Sequence, residues 1–195
     1  MIIEEVNLKF DNLVPLTNPK YIIVHHSGVQ VRQATETIHD YHKRLGWGGI
    51  GYHFYIRRNG VVNPCRPLSV RGIHTRGNNH HSIGACLEGN FEVEEPTNEQ
   101  IQALKDVIEL VKNMLGDLEV KKHKDFNSTA CPGNIDLNQL DDSWSEQKVL
   151  DEAVNVLADK GLLNNPELWS NPKEKIEAWL FFEIFRRFSD EIRRK

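Results

Sequence analysis

The stretch YIIVHHS at residues 21–27 restricts the possible folds of this 195-residue chain more than any other segment. It is short, apolar and rich in β-branched residues, which is typical of a β-strand that is buried on both faces. HHSIGACLEGNF at 80–91 contains another apolar strand, and the alternating residues around Arg-Asn-Gly at 58–60 predict a hairpin. The sheet that these strands build must therefore be covered on both sides.

Helical periodicity lies between and after these strands. Residues 34–47 carry apolar side chains at helical spacing up to Gly46, a natural helix end. Thr97 and Gln100 form a capping box, and an apolar helical stripe follows it. LEVKKH at 118–123 predicts a last short strand. Strands mixed with helices that cover them indicate an α/β fold.

The pattern changes near residue 143, which divides the chain into a domain at 1–142 and a C-terminal segment at 143–195. Residues 145–160 and 172–193 predict two helices in that segment. The segment concentrates aromatic side chains: Trp169, Trp179, Phe181, Phe182, Phe185 and Phe188. Packing of these side chains between the two helices is one interpretation. A homodimer contact or attachment to a cell surface is the other.

The charge distribution is uneven. The formal net charge is −4, yet the stretch from Tyr41 to Leu87 contains no Asp or Glu. Its positive side chains are Lys43, Arg44, Arg57, Arg58, Arg66, Arg71 and Arg76. A cationic surface for an anionic ligand and a plain solvated surface are both compatible with this pattern. We do not expect a nucleic-acid partner, because the aromatic and basic residues form no recognised binding motif.

The sequence carries no recognisable targeting or membrane segment. Acidic residues stand near the start, where a signal peptide has Lys or Arg, and no stretch is long and apolar enough for a membrane span. The cysteines are odd in number (Cys65, Cys86 and Cys131) and suggest no disulfide framework. We therefore expect a protein that is made in a reducing cytoplasm and does not insert into a membrane.

KHKDFNSTACPG at 122–133 is loop-like in composition, yet it holds His123 and Cys131, two residue types that bind zinc well. Two ligands are too few, so a third must come from elsewhere. His25 and His26 end the first buried strand, and at most one of them joins a given site because neighbouring strand residues point oppositely. Three protein ligands with one open position are the arrangement of catalytic zinc. The spacing alone is compatible with a catalytic zinc site and with the absence of a metal.

Other histidines have plainer interpretations. His39 and His42 lie on the first predicted helix and are expected to be partly exposed. His53 alternates with Tyr52 on a strand, so we expect these two side chains on opposite faces.

The order of four motifs resembles that of the zinc-dependent N-acetylmuramoyl-L-alanine amidases of the type-2 family, which includes phage lysozymes with amidase activity and the peptidoglycan recognition proteins. The motifs are IVHHS, GWGGIGYHFYIRRNG, HTRGNNHHSIGACLEGNF and HKDFNSTACPG. The resemblance covers residues 20–136 and implies a central mixed β-sheet flanked by helices, with zinc in a peptidoglycan-binding groove. NFEVEEPTNEQ at 90–100 is most similar to amidases of phages and prophages in Firmicutes.

The resemblance also implies roles for single residues. It selects His25 over His26 and adds His123 and Cys131 as ligands of one Zn²⁺ per chain. Tyr52 matches a tyrosine that approaches the zinc-bound water, and Thr129 supplies a hydroxyl to the developing oxyanion.

The substrate implied by this family carries free carboxylates on its stem peptides. Arg66, Arg71 and Arg76 are candidates to bind them, since arginine binds carboxylate in a bidentate fork. His74 matches a histidine of the family's groove and is a further candidate for substrate contact. Amidases that recycle muropeptides have glutamate where this chain has Cys86.

Glu88 lies two residues beyond Cys86, a shift of about 6–7 Å along a strand, so we do not assign it as the catalytic base. Zinc hydroxide is expected to accept the proton instead, and Cys86 is expected to be a small buried residue.

The predicted function is hydrolysis of the amide between N-acetylmuramic acid and L-alanine of peptidoglycan. We expect a phage or prophage endolysin that acts on the cell wall after release from the cytoplasm. The alternatives are a non-catalytic peptidoglycan-binding protein and a cytosolic amidase that recycles muropeptides.

Overall fold

A computed structural model of the chain describes residues 1–140. The predicted helices at 145–160 and 172–193, their aromatic side chains and the proposed dimer contact lie outside the described residues.

One six-stranded mixed sheet forms the centre of the described residues, as predicted. Its strands are β1 (Ile2–Ile3), β2 (Tyr21–His26), β3 (Phe54–Ile56), β4 (Val61–Pro64), β5 (Ser82–Leu87) and β6 (Glu119–Lys122). They lie in the order β1-β4-β3-β5-β2-β6. The β3–β4 pair is the antiparallel hairpin, and every other neighbouring pair is parallel. The two apolar strands, β2 and β5, are adjacent and central, which explains why they are buried on both faces.

Helix α2 (Asn98–Leu115) covers one face of this sheet. The predicted capping box is present: Thr97 accepts a hydrogen bond from the Gln100 amide, and the Gln100 side chain accepts one from the Thr97 amide. The main hydrophobic core lies between α2 and the sheet, where Leu104 and Val107 are fully buried.

A smaller core covers the opposite face of the sheet. Helix α1 (Thr35–Arg44) contributes Ile38, which packs with Tyr55 and Cys86. The segment before β2 was not predicted to have structure, yet β1 pairs with β4 and Phe10 packs into this smaller core. No helix within residues 1–140 has the length and apolar character needed to cross a membrane.

The strand register brings particular side chains together on this second face. His25 of β2 is paired with Cys86 of β5, and Cys86 is paired with Tyr55 of β3. Because paired residues of neighbouring strands project to the same side of a sheet, these three side chains form a row beneath α1. The row ends at His25, where the candidate site begins.

Candidate metal centre

Strand β2 carries two consecutive histidines at its carboxyl end, and their side chains serve different purposes. His25 is 1% exposed, and its Nδ1 lies 3.7 Å from the Sγ of Cys131. The Nδ1 of His26 accepts a hydrogen bond from the backbone N–H of Phe91 (3.1 Å), on the side of the main core. The strand pleat therefore directs His25, and not His26, towards Cys131.

The loop after β6 folds back on itself and so brings His123 close to Cys131. Lys124 closes this loop twice: its backbone N–H donates to the carbonyl of Cys131 (2.9 Å), and its Nζ donates to the carbonyl of Gly133 (2.9 Å). Gly133 has a φ of +75° and packs against the backbone of Phe91, where a Cβ atom would collide. The Cys-Pro-Gly turn therefore needs glycine at this position.

His25, His123 and Cys131 each offer one ligand atom, and these atoms all lie within 4.8 Å of one another. Among residues 1–140 this is the only such cluster of His, Cys, Asp or Glu. Zinc bonds of about 2.0 Å to nitrogen and about 2.3 Å to sulfur place the two ligand atoms about 3.6 Å apart in a tetrahedral site. The observed 3.7 Å between His25 Nδ1 and Cys131 Sγ fits that spacing.

Burial sets the protonation of all three candidate ligands. It lowers the pKa of His25 well below its usual value, and His74 and His123 lower it further. It also lowers the pKa of His123, against an opposing effect of the hydrogen bond to Asn127. Both imidazoles are thus neutral at pH 7, as a metal ligand must be. Burial raises the pKa of the Cys131 thiol to about 11, so a bound cation is needed to hold it as a thiolate.

Asn127 is a contact of this site that the sequence analysis missed. Its Oδ1 lies 3.1 Å from the Nε2 of His123, which leaves Nδ1 of that ring for a metal. Its Nδ2 donates to the backbone carbonyl of Arg76 (3.3 Å). Asn127 follows His123 by one helical turn, and this spacing of four residues is the signal that could have identified it.

Tyr52 lies beside the candidate ligands. Its ring centroid is 5.2 Å from that of His25. Burial raises the pKa of its phenol well above the usual value, and the thiols of Cys86 and Cys131 add to this effect. The phenol therefore keeps its proton at neutral pH and can donate a hydrogen bond. Cys86 is fully buried, and burial raises the pKa of its thiol well above normal, which agrees with the predicted role as a small core residue.

Thr129 is exposed on the loop that leads to Cys131. Its Oγ1 accepts a hydrogen bond from the backbone N–H of Cys131 (3.2 Å). Because the oxygen acts as an acceptor there, the hydroxyl proton of Thr129 remains available for donation to another group.

His74 makes its closest polar contacts with its neighbours in the site. Its Nδ1 lies 3.0 Å from the Nε2 of His25 and 2.9 Å from the Oγ1 of Thr75. The expected contact of His74 with substrate stays a prediction, but its contact with a candidate metal ligand is direct.

The three arginines that were expected to bind substrate differ in exposure. The prediction for Arg66 is wrong: its side chain is only 3% exposed, and its guanidinium is occupied by backbone carbonyls. These carbonyls belong to Trp47, Gly49, Ile50 and Arg71. These bonds use four of the five guanidinium N–H groups, so the buried side chain stabilises loops and is not presented to an external carboxylate. Arg71 and Arg76, in contrast, have exposed side chains.

Glu88 is fully engaged in the fold. It is 1% exposed, and its Oε1 accepts a hydrogen bond from the backbone N–H of Gln33 (2.7 Å). Its Oε2 accepts from the backbone N–H of Arg58 (3.0 Å) and from Nε of Arg57 (3.3 Å). The carboxylate therefore ties the end of β5 to two loops, which supports the decision not to assign it as the catalytic base.

Four other histidines are buried and bind backbone rather than ligands. In each, Nδ1 accepts a backbone N–H: His26 from Phe91, His39 from Ile50, His42 from Gly51 and His53 from Gly84. The expectation that His39 and His42 are partly exposed is wrong, since they are 5% and 6% exposed. Three of these amides lie in loops that have no regular partner for them, and the fourth, of Gly84, lies in β5; the imidazoles accept all four.

The chain is similar to known proteins over most of the described residues. The family model described as N-acetylmuramoyl-L-alanine amidase matches residues 15–134. An endolysin of Enterobacteria phage T3 is 31% identical over 154 residues, which covers 75% of this chain and 95% of the relative. Peptidoglycan recognition protein 1 of Mus musculus is 30% identical and covers 66% of this chain and 77% of the relative. The solved structure of N-acetylmuramoyl-L-alanine amidase LysC from Clostridium intestinale is 36% identical with a TM-score of 0.68, and the match covers 71% of this chain and 93% of LysC.

Proposed function

The chain belongs to the N-acetylmuramoyl-L-alanine amidase family and hydrolyses the amide between N-acetylmuramic acid and L-alanine of peptidoglycan, and we propose that it does so with one zinc ion held by His25, His123 and Cys131. The observation that carries the zinc proposal is the convergence of these three ligand atoms from β2 and from the loop after β6. When bound there, zinc would polarise the substrate carbonyl and lower the pKa of a water molecule.

Tyr52 and Thr129 are the proposed catalytic side chains. The protonated phenol of Tyr52, beside His25, donates a hydrogen bond that orients the attacking water or stabilises the tetrahedral intermediate. The hydroxyl of Thr129 donates a hydrogen bond to the oxyanion that develops in this tetrahedral intermediate. It stabilises this charge without neutralising it, because it is uncharged.

The presence of the full ligand set argues against a non-catalytic peptidoglycan-binding protein. A protein that only binds peptidoglycan has no need for Cys131 beside two neutral imidazoles. A muropeptide-recycling amidase is disfavoured by the buried thiol of Cys86 and by the complete engagement of Glu88, neither of which offers a carboxylate to the site. The assignment to Firmicute hosts stays a prediction.

The full-length protein is expected to release the amino group of L-alanine from intact peptidoglycan sacculi. A zinc chelator should abolish the release, and added Zn²⁺ should restore it, because two neutral imidazoles and one thiol hold the metal reversibly. The measurement is the appearance of new N-terminal alanine in the digest. New reducing sugar ends without new amino groups would indicate a glycosidase. Binding of sacculi without release would indicate a receptor, and cleavage of soluble muropeptides alone would indicate a recycling enzyme.

Arg76 is the better supported of the two exposed arginines as a substrate-binding residue. Its backbone carbonyl accepts a hydrogen bond from Asn127, which contacts His123, so Arg76 lies close to the candidate ligands. Its side chain is exposed, and a stem-peptide carboxylate is a suitable partner for it. Arg71 is also exposed and is proposed for the same role.

The Arg76→Ala variant is expected to raise KM about two- to fivefold with little change in kcat, since an exposed ion pair contributes about 0.5–1 kcal/mol. The substitution keeps the backbone carbonyl that holds Asn127. Steady-state kinetics on soluble muramoyl-peptides would measure the effect. A substrate with amidated stem carboxylates is the matched control, because it should remove the difference between variant and parent protein. An equal difference with both substrates would exclude carboxylate binding by Arg76.

We propose that the protein acts on the cell wall after its release from the cytoplasm in which it is made. Peptidoglycan binding or self-association by residues 143–195 stays a prediction, because that segment lies outside the described residues.

A further inference from the structure

The two ring nitrogens of His25 have different partners. Nδ1 lies 3.7 Å from the Sγ of Cys131, in the cluster of candidate ligands. Nε2 points away from that cluster, 3.0 Å from the Nδ1 of His74 and 3.3 Å from the Oγ1 of Thr75. A neutral imidazole carries one proton, so the partner of one nitrogen decides which nitrogen is free to bind a metal.

His74 is held firmly in the position from which it reaches His25. Its backbone N–H donates to the Oδ1 of Asn79 (2.8 Å), and the N–H of Thr75 donates to the same oxygen (2.8 Å). Its ring packs directly on the backbone of Gly84 in β5, where a Cβ atom would come within 2.7 Å of the ring. Any side chain at residue 84 would push His74 away, so the glycine permits the close contact between His74 and His25.

The hydrogen-bonding state of His74 also fits the role of an acceptor. Its Nε2 is buried and makes no well-formed hydrogen bond within the described part of the chain, although the backbone carbonyl of Ser82 lies near the ring. If His74 accepts at Nδ1, its proton must sit on Nε2. The ring can keep the contact with His25 in this tautomer.

We propose that His74 is a positioning residue that accepts the Nε2–H of His25 and thereby presents the Nδ1 of His25 to the metal. This inference rests on the proposed zinc site. It assigns His74 a role in metal binding, whereas the family resemblance suggested substrate contact. Outer partners of this kind fix both the tautomer and the orientation of a ligating histidine.

Two substitutions in the full-length protein distinguish the effect of losing the hydrogen-bond acceptor of His74 from the effect of losing its planar ring. His74→Phe removes the acceptor and keeps a planar ring against Gly84. His74→Asn places a carbonyl oxygen near the position of Nδ1 and keeps an acceptor. We expect zinc binding to weaken about 10- to 100-fold in H74F and to recover most of that loss in H74N. Competition with a chelator of known affinity measures the zinc dissociation constant. His80→Phe is the matched control, because the exposed His80 lies on the same loop without a contact to His25.

A measurement on the unsubstituted, metal-free protein tests the same proposal without any variant. Long-range ¹H–¹⁵N NMR of the imidazoles should show His25 as the Nε2–H tautomer. An Nδ1–H tautomer in the folded protein would overturn the proposal, as would H74F with parental zinc affinity or H74N with the same loss as H74F. If H74F does not fold, the zinc affinity of H74N and the tautomer of His25 in the unsubstituted protein still test the proposal.

Kinetics distinguish positioning from substrate contact. Unchanged zinc affinity with a raised KM in H74F would assign His74 to substrate binding and overturn the positioning role. Zinc affinity and the tautomer are measured without substrate. A failure of the proposed amidase chemistry would therefore leave both results intact, and the two proposals can fail separately.

Discussion

The Cys131→Ala variant is expected to lose nearly all of its zinc and of its hydrolytic activity. The parent protein should contain about one zinc ion per chain, and the variant retains only the two histidines as ligands. Outer partners of metal ligands alone typically contribute about 10- to 100-fold in affinity or activity, so removal of a ligand should exceed about 100-fold. Metal analysis after gel filtration, together with the release of alanine amino groups from sacculi, measures both effects.

Cys65→Ala is the matched control for the loss of a thiol. Cys65 is also a free, partly buried cysteine, but it packs in the smaller core and does not belong to the ligand cluster. We expect this variant to keep its zinc and its turnover. A Cys131→Ala variant that retained full zinc content and activity would show that the metal, if required, is bound elsewhere.

The Tyr52→Phe variant is expected to keep its zinc and to lose about 10²- to 10⁴-fold in kcat, the range typical of general acid–base groups. The substitution removes only the hydroxyl. It leaves the ring contact with His25, so the ligands should stay in place. Zinc content and kcat must be measured on the same preparation, since a loss of metal would reduce turnover for a different reason.

Tyr55→Phe provides the corresponding control three residues along the chain, in β3. The hydroxyl of Tyr55 is buried near Ser27 without a well-formed hydrogen bond among the described residues, so its removal should leave activity unchanged and change stability little. Glu88→Gln should instead lower stability by about 1–3 kcal/mol, because an amide group would face donors that now bind a carboxylate. A collapse of turnover in folded Glu88→Gln, or full activity in Tyr52→Phe, would mean that the catalytic roles are misassigned.

Local patterns were sufficient to predict most of the fold. The apolar strands, the hairpin at 58–60, the capping box at Thr97 and the helix end near Gly46 all depend on residues close in sequence, and all are present. The structure before β2 was missed because a two-residue strand has no periodicity to detect. Its position depends on pairing with β4 and on the burial of Phe10, which are contacts between distant residues.

The candidate site could likewise be predicted only in part. Motif order and strand alternation selected His25, and the structure brings it together with His123 and Cys131. The direction of a long side chain could not be predicted, because it depends on which carbonyls the tertiary fold leaves near it. Arg66 illustrates this. Its position in a cationic stretch suggested that it binds a substrate carboxylate, but its guanidinium donates to several backbone carbonyls. The partner of His25 could not be predicted for the same reason, since His74 reaches it from a distant loop, over Gly84 of β5.

The four histidines that accept backbone amides affect how an alignment of related sequences should be interpreted. The imidazoles of His26, His39 and His42 accept amides of loops, that of His53 accepts the Gly84 amide of β5, and few other side chains offer a buried nitrogen acceptor at that distance. Selection for folding alone would keep these positions nearly invariant across relatives. An evolutionary ranking of the histidines would then score them alongside His25 and His123, the two candidate metal ligands, although none of the four belongs to the ligand cluster. Invariance at these positions would reflect the need to satisfy buried backbone amides. A catalytic or metal-binding role would have to be inferred from the geometry of the site.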